Sequence, residues 1–207
     1  RIESKIAASS KQQVALALDC ASSEFFEDGE YTLAAEGLSM SAEQFVDGIR
    51  RLSEGLITKQ RIHDYLVAYE IRPEDLERYR NWLPDRHTRN KIFRNDMIEV
   101  MLICWPSGAV TPLHTHNGQL GWMSVQRGAL AVVDYKWRGC NAPENQNVVG
   151  LDCLAGATEL ELERLQVQEC FAGGPVNTVD KHRTIHQVVV QGREPAVSIH
   201  VYSRPID

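Results

Sequence analysis

Long apolar stretches are missing from this sequence. The longest, around Glu99–Trp105, falls far short of the ~20 residues that a membrane-spanning helix needs, and no charged start followed by an apolar stretch reads as a signal peptide. No run of lysine and arginine is long enough to track a phosphate backbone or an acidic membrane. The net charge is -6, with the two signs mixed along the chain, so neither nucleic acid nor membrane is an expected partner. Cysteine is scarce and badly spaced for a scaffold. Cys20, Cys104, Cys140, Cys153 and Cys170 make an odd number without a CxxC pair, which speaks against a disulfide framework and against a zinc knuckle. A reducing cytoplasm fits such thiols, and Cys104, inside an apolar run, is expected as plain core. Repeats and low-complexity tracts are absent as well. The 207 residues, 43% of them hydrophobic, suffice for one buried core and not for two full ones, so a single domain over 1–207 is expected.

What is present changes character near the middle of the chain. The part up to about residue 85 reads helical. In Ser41–Leu56 the serine suits an N-cap, and Phe45, Val46, Ile49, Leu52 and Leu56 recur with a 3.6-residue period. Lys59–Ile71 repeats that spacing, and Pro73 then opens a third helix over Glu74–Leu83. From about Lys91 the period becomes two. Ile98, Val100, Leu102 and Cys104 alternate with residues that are nearly as apolar, the pattern of a strand buried on both faces. Further strands are expected at Gly121–Val125, Ala129–Trp137, Glu163–Phe171, Thr184–Val190 and Ala196–Tyr202, with turn signals such as Arg127-Gly128, Gly173-Gly174-Pro175 and Gln191-Gly192 between them. Helices followed by six or more short strands predict a mainly β fold, an antiparallel barrel or double-sheet roll over about 86–207 with a helical layer outside.

Seven histidines are unevenly placed. In extended chain residues i and i+2 share a face, so His114 and His116 aim two imidazoles the same way, just after a turn marked by Gly108 and Pro112. A third ligand has to come from far along the chain, and His182 and His186 both offer themselves. His186 heads an apolar strand on the face of Val188 and Val190 and is the better candidate. His182, among turn-forming residues about 13 Å earlier in extended chain, reads as a loop residue, and His63 as a helix surface residue. In the last strand Val197, Ile199 and Val201 share one face, which leaves Ser198, His200 and Tyr202 stacked on the other. Burying those three without partners would cost about 1–3 kcal/mol each, so they either satisfy one another or face a polar cavity.

The run Gly108, His114-Thr115-His116, Gly121, Gly128 resembles the first motif of the cupin superfamily of double-sheet β-barrels (jelly rolls), although Gly121 stands where most metal cupins carry a glutamate ligand. The resemblance narrows to the cysteine dioxygenases. Five segments carry it in order: "HTRN" at 87–90, "MLICWPSG" at 101–108, "HTH" at 114–116, "IHQV" at 185–188 and "EPAVSIHVYSRP" at 194–205. This similarity implies an iron(II) centre held by His114, His116 and His186, a substrate carboxylate gripped by Arg89 with His87 beside it, and Tyr202, His200 and Ser198 next to the metal. It implies an enzyme that adds both atoms of O2 to the sulfur of L-cysteine, giving cysteine sulfinate. Three neutral ligands leave three positions open for sulfur, nitrogen and dioxygen, and a metal-bound thiol loses its proton outright. Arginine also has the fork that matches a carboxylate.

Two positions depart from the family's best-known members. Gly121 is a cysteine in the animal enzymes, crosslinked to the tyrosine that matches Tyr202, so that thioether cannot form here. His87 replaces the tyrosine of the family's "YTRN" segment, which brings 3-mercaptopropionate into consideration beside cysteine. A non-thiol metal cupin, such as an isomerase or a ligand-binding protein, and a site filled by zinc or nickel remain the alternatives. The oligomeric state stays open, and a monomer is compatible with the composition.

Overall fold

In the computed structural model, the residues described are 26–27, 30–31, 38–54, 57–116, 119–141, 159–179 and 185–205. The chain divides into two compact units, Arg1–Leu38 and Ser39–Asp207. Within the first, β1 (Phe26–Glu27) pairs antiparallel with β2 (Glu30–Tyr31). Everything that follows concerns the second unit.

Its helices start where the caps predict. Ser41 and Gln44 form a reciprocal capping box: the serine Oγ accepts from the Gln44 amide at 3.1 Å, and the glutamine Oε1 accepts from the Ser41 amide at 2.9 Å. Helix α1 then runs Ala42–Glu54. Thr58 caps α2 (Lys59–Ala68), its side chain accepting from the Arg61 amide. This helix stops three residues earlier than its period suggests. Tyr69–Ile71 instead form β4, paired with β3 (Leu38–Met40), so a partner strand from before both helices outweighs a weak helical preference. The third helix, α3, is shorter than expected, Pro73–Glu77. The expected extension to Leu83 does not form, and at its far end Leu83 precedes Pro84, whose ring disfavours helical geometry there.

Two antiparallel sheets make the body. The larger has the order β10-β7-β12-β6-β5, from β5 (Thr88–Arg94), β6 (Glu99–Trp105), β7 (Leu120–Arg127), β10 (Asn177–Val179) and β12 (Ala196–Ser203). The smaller has the order β11-β8-β9, from β8 (Ala129–Cys140), β9 (Leu160–Phe171) and β11 (Ile185–Val190). All strands foreseen from periodicity are present within a few residues of their expected ends, whereas β5 and β10 carry too few apolar residues to announce themselves. The fold is mainly β, a roll of two antiparallel sheets with helices, as expected.

The larger sheet is covered on both sides. On one side Val100, Leu102 and Cys104 of β6, Val197, Ile199 and Val201 of β12, and Trp122 pack against Phe45, Ile49, Ile62 and Leu66 of the helices. On the other, Ile103, Trp105, Met123 and Val125 meet Leu130, Val132, Val188 and Val190 of the smaller sheet. All seven residues of β6 are buried, which explains why its sequence barely alternates. Cys104 and Cys170 are free, buried thiols; Cys20 and Cys153 lie outside the described residues. Among the described residues no helix is long and apolar enough to cross a membrane.

Candidate metal centre and its cavity

The interior between the sheets is apolar at one end and polar at the other. What brings the polar end together is a short ribbon. After the turn at Gly108, whose φ of 73° suits glycine, residues 109–114 run antiparallel to β11. The Thr111 amide donates to the Val188 carbonyl at 2.9 Å, and His114 and His186 exchange both backbone hydrogen bonds at 3.0 and 2.9 Å. Residues 72 apart in sequence thus become direct neighbours. His116, two positions beyond His114, presents its ring to the same side, stacked on His114 at 5.5 Å.

The three rings meet through Nε2. His186 Nε2 lies 3.0 Å from that of His116 and 3.1 Å from that of His114, and the three ligand atoms all fall within 4.8 Å of one another. Separations near 3 Å are what two nitrogens would show when both bind one ion at about 2.1 Å, roughly at right angles. Burial and neighbouring histidines hold His186 down at a pKa of about 3, and burial, His114 and Arg89 hold His116 at about 4. His114 is lowered by burial, against an opposing hydrogen bond at Pro112. All three are therefore neutral at physiological pH. The Nδ1–H of His114 donates to the Pro112 carbonyl at 2.9 Å, which leaves its Nε2 lone pair bare. With that lone pair bare and two further neutral imidazoles converging on it through Nε2 in a buried site, the donor set fits a metal ion, which these three residues would hold.

Gly121 explains why no carboxylate joins them. It stands opposite Tyr202 in the β7–β12 pair, and a Cβ placed there would sit 2.8 Å from Nδ1 of His116 and 3.2 Å from Cε1 of Tyr202. Any side chain at 121 therefore displaces a ligand ring.

Beside the metal site, β12 carries a chain of hydrogen bonds. Trp105 Nε1 donates to Ser198 Oγ at 2.8 Å, Ser198 Oγ lies 2.9 Å from His200 Nε2, and His200 Nδ1 lies 2.9 Å from Tyr202 Oη. An indole can only donate, which fixes the direction of the first link. Ser198 accepts from Trp105 and joins Nε2 of His200, whose Nδ1 in turn joins the phenol oxygen of Tyr202, so the three inward side chains of the strand satisfy one another. Burial, with Arg89 next, holds His200 well below its ordinary pKa, and it stays neutral. Burial likewise pushes the phenol up to about 12, against the opposing influence of Arg89.

Arg89 and His87 come from β5 and the residue just before it. Asn90 ties that strand to its neighbour through Nδ2 and the Leu102 carbonyl at 3.3 Å, and Thr88 Oγ1 donates to the Asn81 carbonyl. These two take one face of the strand, which leaves Arg89 to the cavity. His87 lies against Trp105, ring centres 4.8 Å apart, and burial followed by Arg89 lowers its pKa. A cavity of about 250 Å³ is bounded by the three metal-site histidines, His87, Arg89, His200 and Tyr202. Among the described residues its walls include no aspartate or glutamate, and Arg89 is the one permanently charged side chain.

Every residue expected at the site from the sequence thus borders this cavity, except Ser198, which sits one hydrogen bond behind His200. His182 lies outside the described residues. His63 is half-exposed on α2, its Nδ1 3.3 Å from Asp64, as a surface residue should be. Two residues escaped the sequence reading. Trp105 was visible only as core, and Asn177, on the short strand β10, lines the cavity while its amide donates to Gln168 at 2.7 Å. No periodicity marks a three-residue strand.

Cysteine dioxygenase type 1 of Danio rerio is 23% identical over 151 residues, 72% of this chain and 67% of the fish protein. Cysteine dioxygenase type 1 of Rattus norvegicus is 24% identical over 152 residues, 73% of this chain and 68% of the rat protein. Among solved structures, a Bacillus halodurans protein superposes with a TM-score of 0.41 at 15% identity, covering 73% of this chain and 83% of that one. A Thermus thermophilus protein does so with a TM-score of 0.40 at 16% identity, over 63% of this chain and 94% of that one. The sequence profile of the family described as cysteine dioxygenase type I matches residues 35–207, a span that includes the whole histidine site, and this chain therefore belongs to that family.

Proposed function

We propose that the protein is an iron(II)-dependent thiol dioxygenase that adds both atoms of O2 to the sulfur of L-cysteine to give cysteine sulfinate. The observation that carries this reading is the pairing of three neutral imidazoles with a permanent cation, Arg89, around one small cavity. An iron(II) ion held by His114, His116 and His186 would supply a centre that lowers the pKa of a thiol and brings sulfur and dioxygen together. The rest is done by the chain. Arg89 offers a planar fork for two parallel hydrogen bonds to the substrate carboxylate, and so fixes where the sulfur lies. His87, beside Arg89, closes that end of the pocket. Tyr202 keeps its proton and borders the cavity, its phenol oxygen positioned by His200, which is held in turn by Ser198 and Trp105. The stacked rings and apolar walls limit water around the reacting atoms. A reducing cytoplasm belongs to this reading, supported by the unpaired thiols Cys104 and Cys170.

One observation favours a second substrate. Among the described residues no lining carboxylate meets a free ammonium group, so 3-mercaptopropionate, which has none, suits those walls as well as cysteine does. Anaerobic purification with iron analysis, followed by oxygen uptake with cysteine, 3-mercaptopropionate and cysteamine, tests both readings. Uptake with a carboxylate-bearing thiol and stoichiometric sulfinate is expected. An iron-loaded protein that consumes no oxygen with any thiol would end the proposal.

A further inference from the structure

Two buried polar atoms on neighbouring strands have no hydrogen-bond partner: Nδ1 of His186 and Oδ1 of Asp134. His186 on β11 and Asp134 on β8 are direct antiparallel partners. Because His186 spends its backbone N–H and C=O on His114, its pairing with Asp134 is of the narrow, non-hydrogen-bonded kind, in which Cα atoms lie about 4.5 Å apart and the side chains are closest. Directly opposed residues share a face. That face is the interior, since Val132 on β8 and Val188 on β11, opposite each other one step along, both pack there.

The ring orientation points the same way. His114 and Asp134 flank His186 on opposite sides. The two nitrogens of an imidazole occupy opposite edges of the ring, so turning Nε2 towards His114, 3.1 Å away, turns Nδ1 towards β8. Asp134 is itself held from behind: Gln166 Nε2 donates to its Oδ2 at 2.8 Å, which leaves Oδ1 as the free acceptor. The indole Nε1 of Trp137 is a third unpartnered atom nearby, but it belongs to the same strand as Asp134, three residues on, with a Cα roughly 10 Å away.

We propose that Asp134 is a positioning residue for the metal centre, its Oδ1 accepting a hydrogen bond from Nδ1–H of His186. The link forms by rotation of the Asp134 side chain and completes a relay from Gln166 through Asp134 and His186 to the ion. It settles the His186 tautomer with Nε2 bare, as Pro112 does for His114. It also brings one negative charge to a site whose ligands are all neutral and whose neighbour Arg89 is positive, which strengthens His186 as a donor.

The test uses the full chain, freed of metal and titrated anaerobically with cobalt(II) against a competing chelator, with no thiol or oxygen present. Asp134→Ala should bind the ion about 10- to 100-fold more weakly and shift the cobalt absorption bands. Asp134→Asn, which keeps an acceptor and loses the charge, should fall between it and the parent. Unchanged affinity and spectrum in either variant, with the metal-free fold intact by circular dichroism, overturns the proposal. If Asp134→Ala does not fold, Asp134→Asn decides alone. Trp137→Phe should bind cobalt like the parent, and an equal loss there would reassign Asp134 to the indole. A parent protein that binds no ion removes the metal site itself, whereas a protein that binds cobalt normally but oxidises no thiol leaves this inference standing.

Discussion

The two faces of β12 are equally buried and chemically opposite. Val197, Ile199 and Val201 press into the helices, while Ser198, His200 and Tyr202 turn inward, and none of the six is more than 7% exposed. The outward-facing trio is held by dispersion and by removal of apolar area from water, forces without direction. The inward trio is tolerable only because each polar group has a partner in line, beginning with the Trp105 indole. Stability therefore resides on the helix side of the strand and orientation on the cavity side, and substitutions should separate the two.

The largest effect is expected at the metal site facing the inner trio. His186→Ala should abolish iron binding and bring oxygen uptake to background while the unfolding midpoint of the metal-free protein stays near that of the parent; retained iron by metal analysis would contradict the ligand set. On the outer face, Ile199→Ala should cost about 2–5 kcal/mol in denaturant unfolding with metal content unaltered. A loss of metal affinity there as large as the loss of stability would erase the distinction between the faces. Arg89→Ala should lower kcat/KM for cysteine about 100-fold, corresponding to about 2.7 kcal/mol for a charge-assisted contact, and change cysteamine turnover little. Equal defects for the two thiols would remove the carboxylate role. Ser198→Ala strands the buried Trp105 N–H and should cost about 1–3 kcal/mol, together with a slower kcat at unchanged iron content.

The smallest effect is one of pH on the metal-free protein. His116 and His186 titrate near 4 and 3 when folded and near 6.5 when unfolded. Between those values the unfolded chain binds more protons, so stability falls as pH drops from about 6.5 towards 4, by up to about 1.4 kcal/mol per pH unit for each group. Urea unfolding at pH 7 and pH 5 measures it. The slope should flatten in His186→Ala and persist in Ile199→Ala.

How far the sequence could be read depended on whether a residue's role repeats along the chain. The buried β6 and the two-sided β12 announced themselves because their apolar periods run for seven or eight residues. His114 and His116 showed as a pair because i and i+2 share a face in any extended segment, and Arg89 stood out through the segment that resembles the family. β5 and β10 did not, being polar or short, and β4 was hidden inside a helical pattern until β3 paired with it. Trp105 looked like core because its neighbours are core; that its N–H begins a hydrogen-bond chain depends on Ser198, 93 residues away.

The amino-acid order alone determined a helical start, a β-rich remainder and an inventory of imidazoles, an arginine and a tyrosine, since periodicity and side-chain chemistry are local properties. Tertiary structure decided which of them converge. The antiparallel ribbon at 109–114 sets His114 against His186, the register of β12 with β7 puts Tyr202 over Gly121, and the pairing of β11 with β8 sets Asp134 beside a metal-site histidine. Backbone hydrogen bonds between distant segments fix those juxtapositions to within an ångström, and no local pattern encodes such distances.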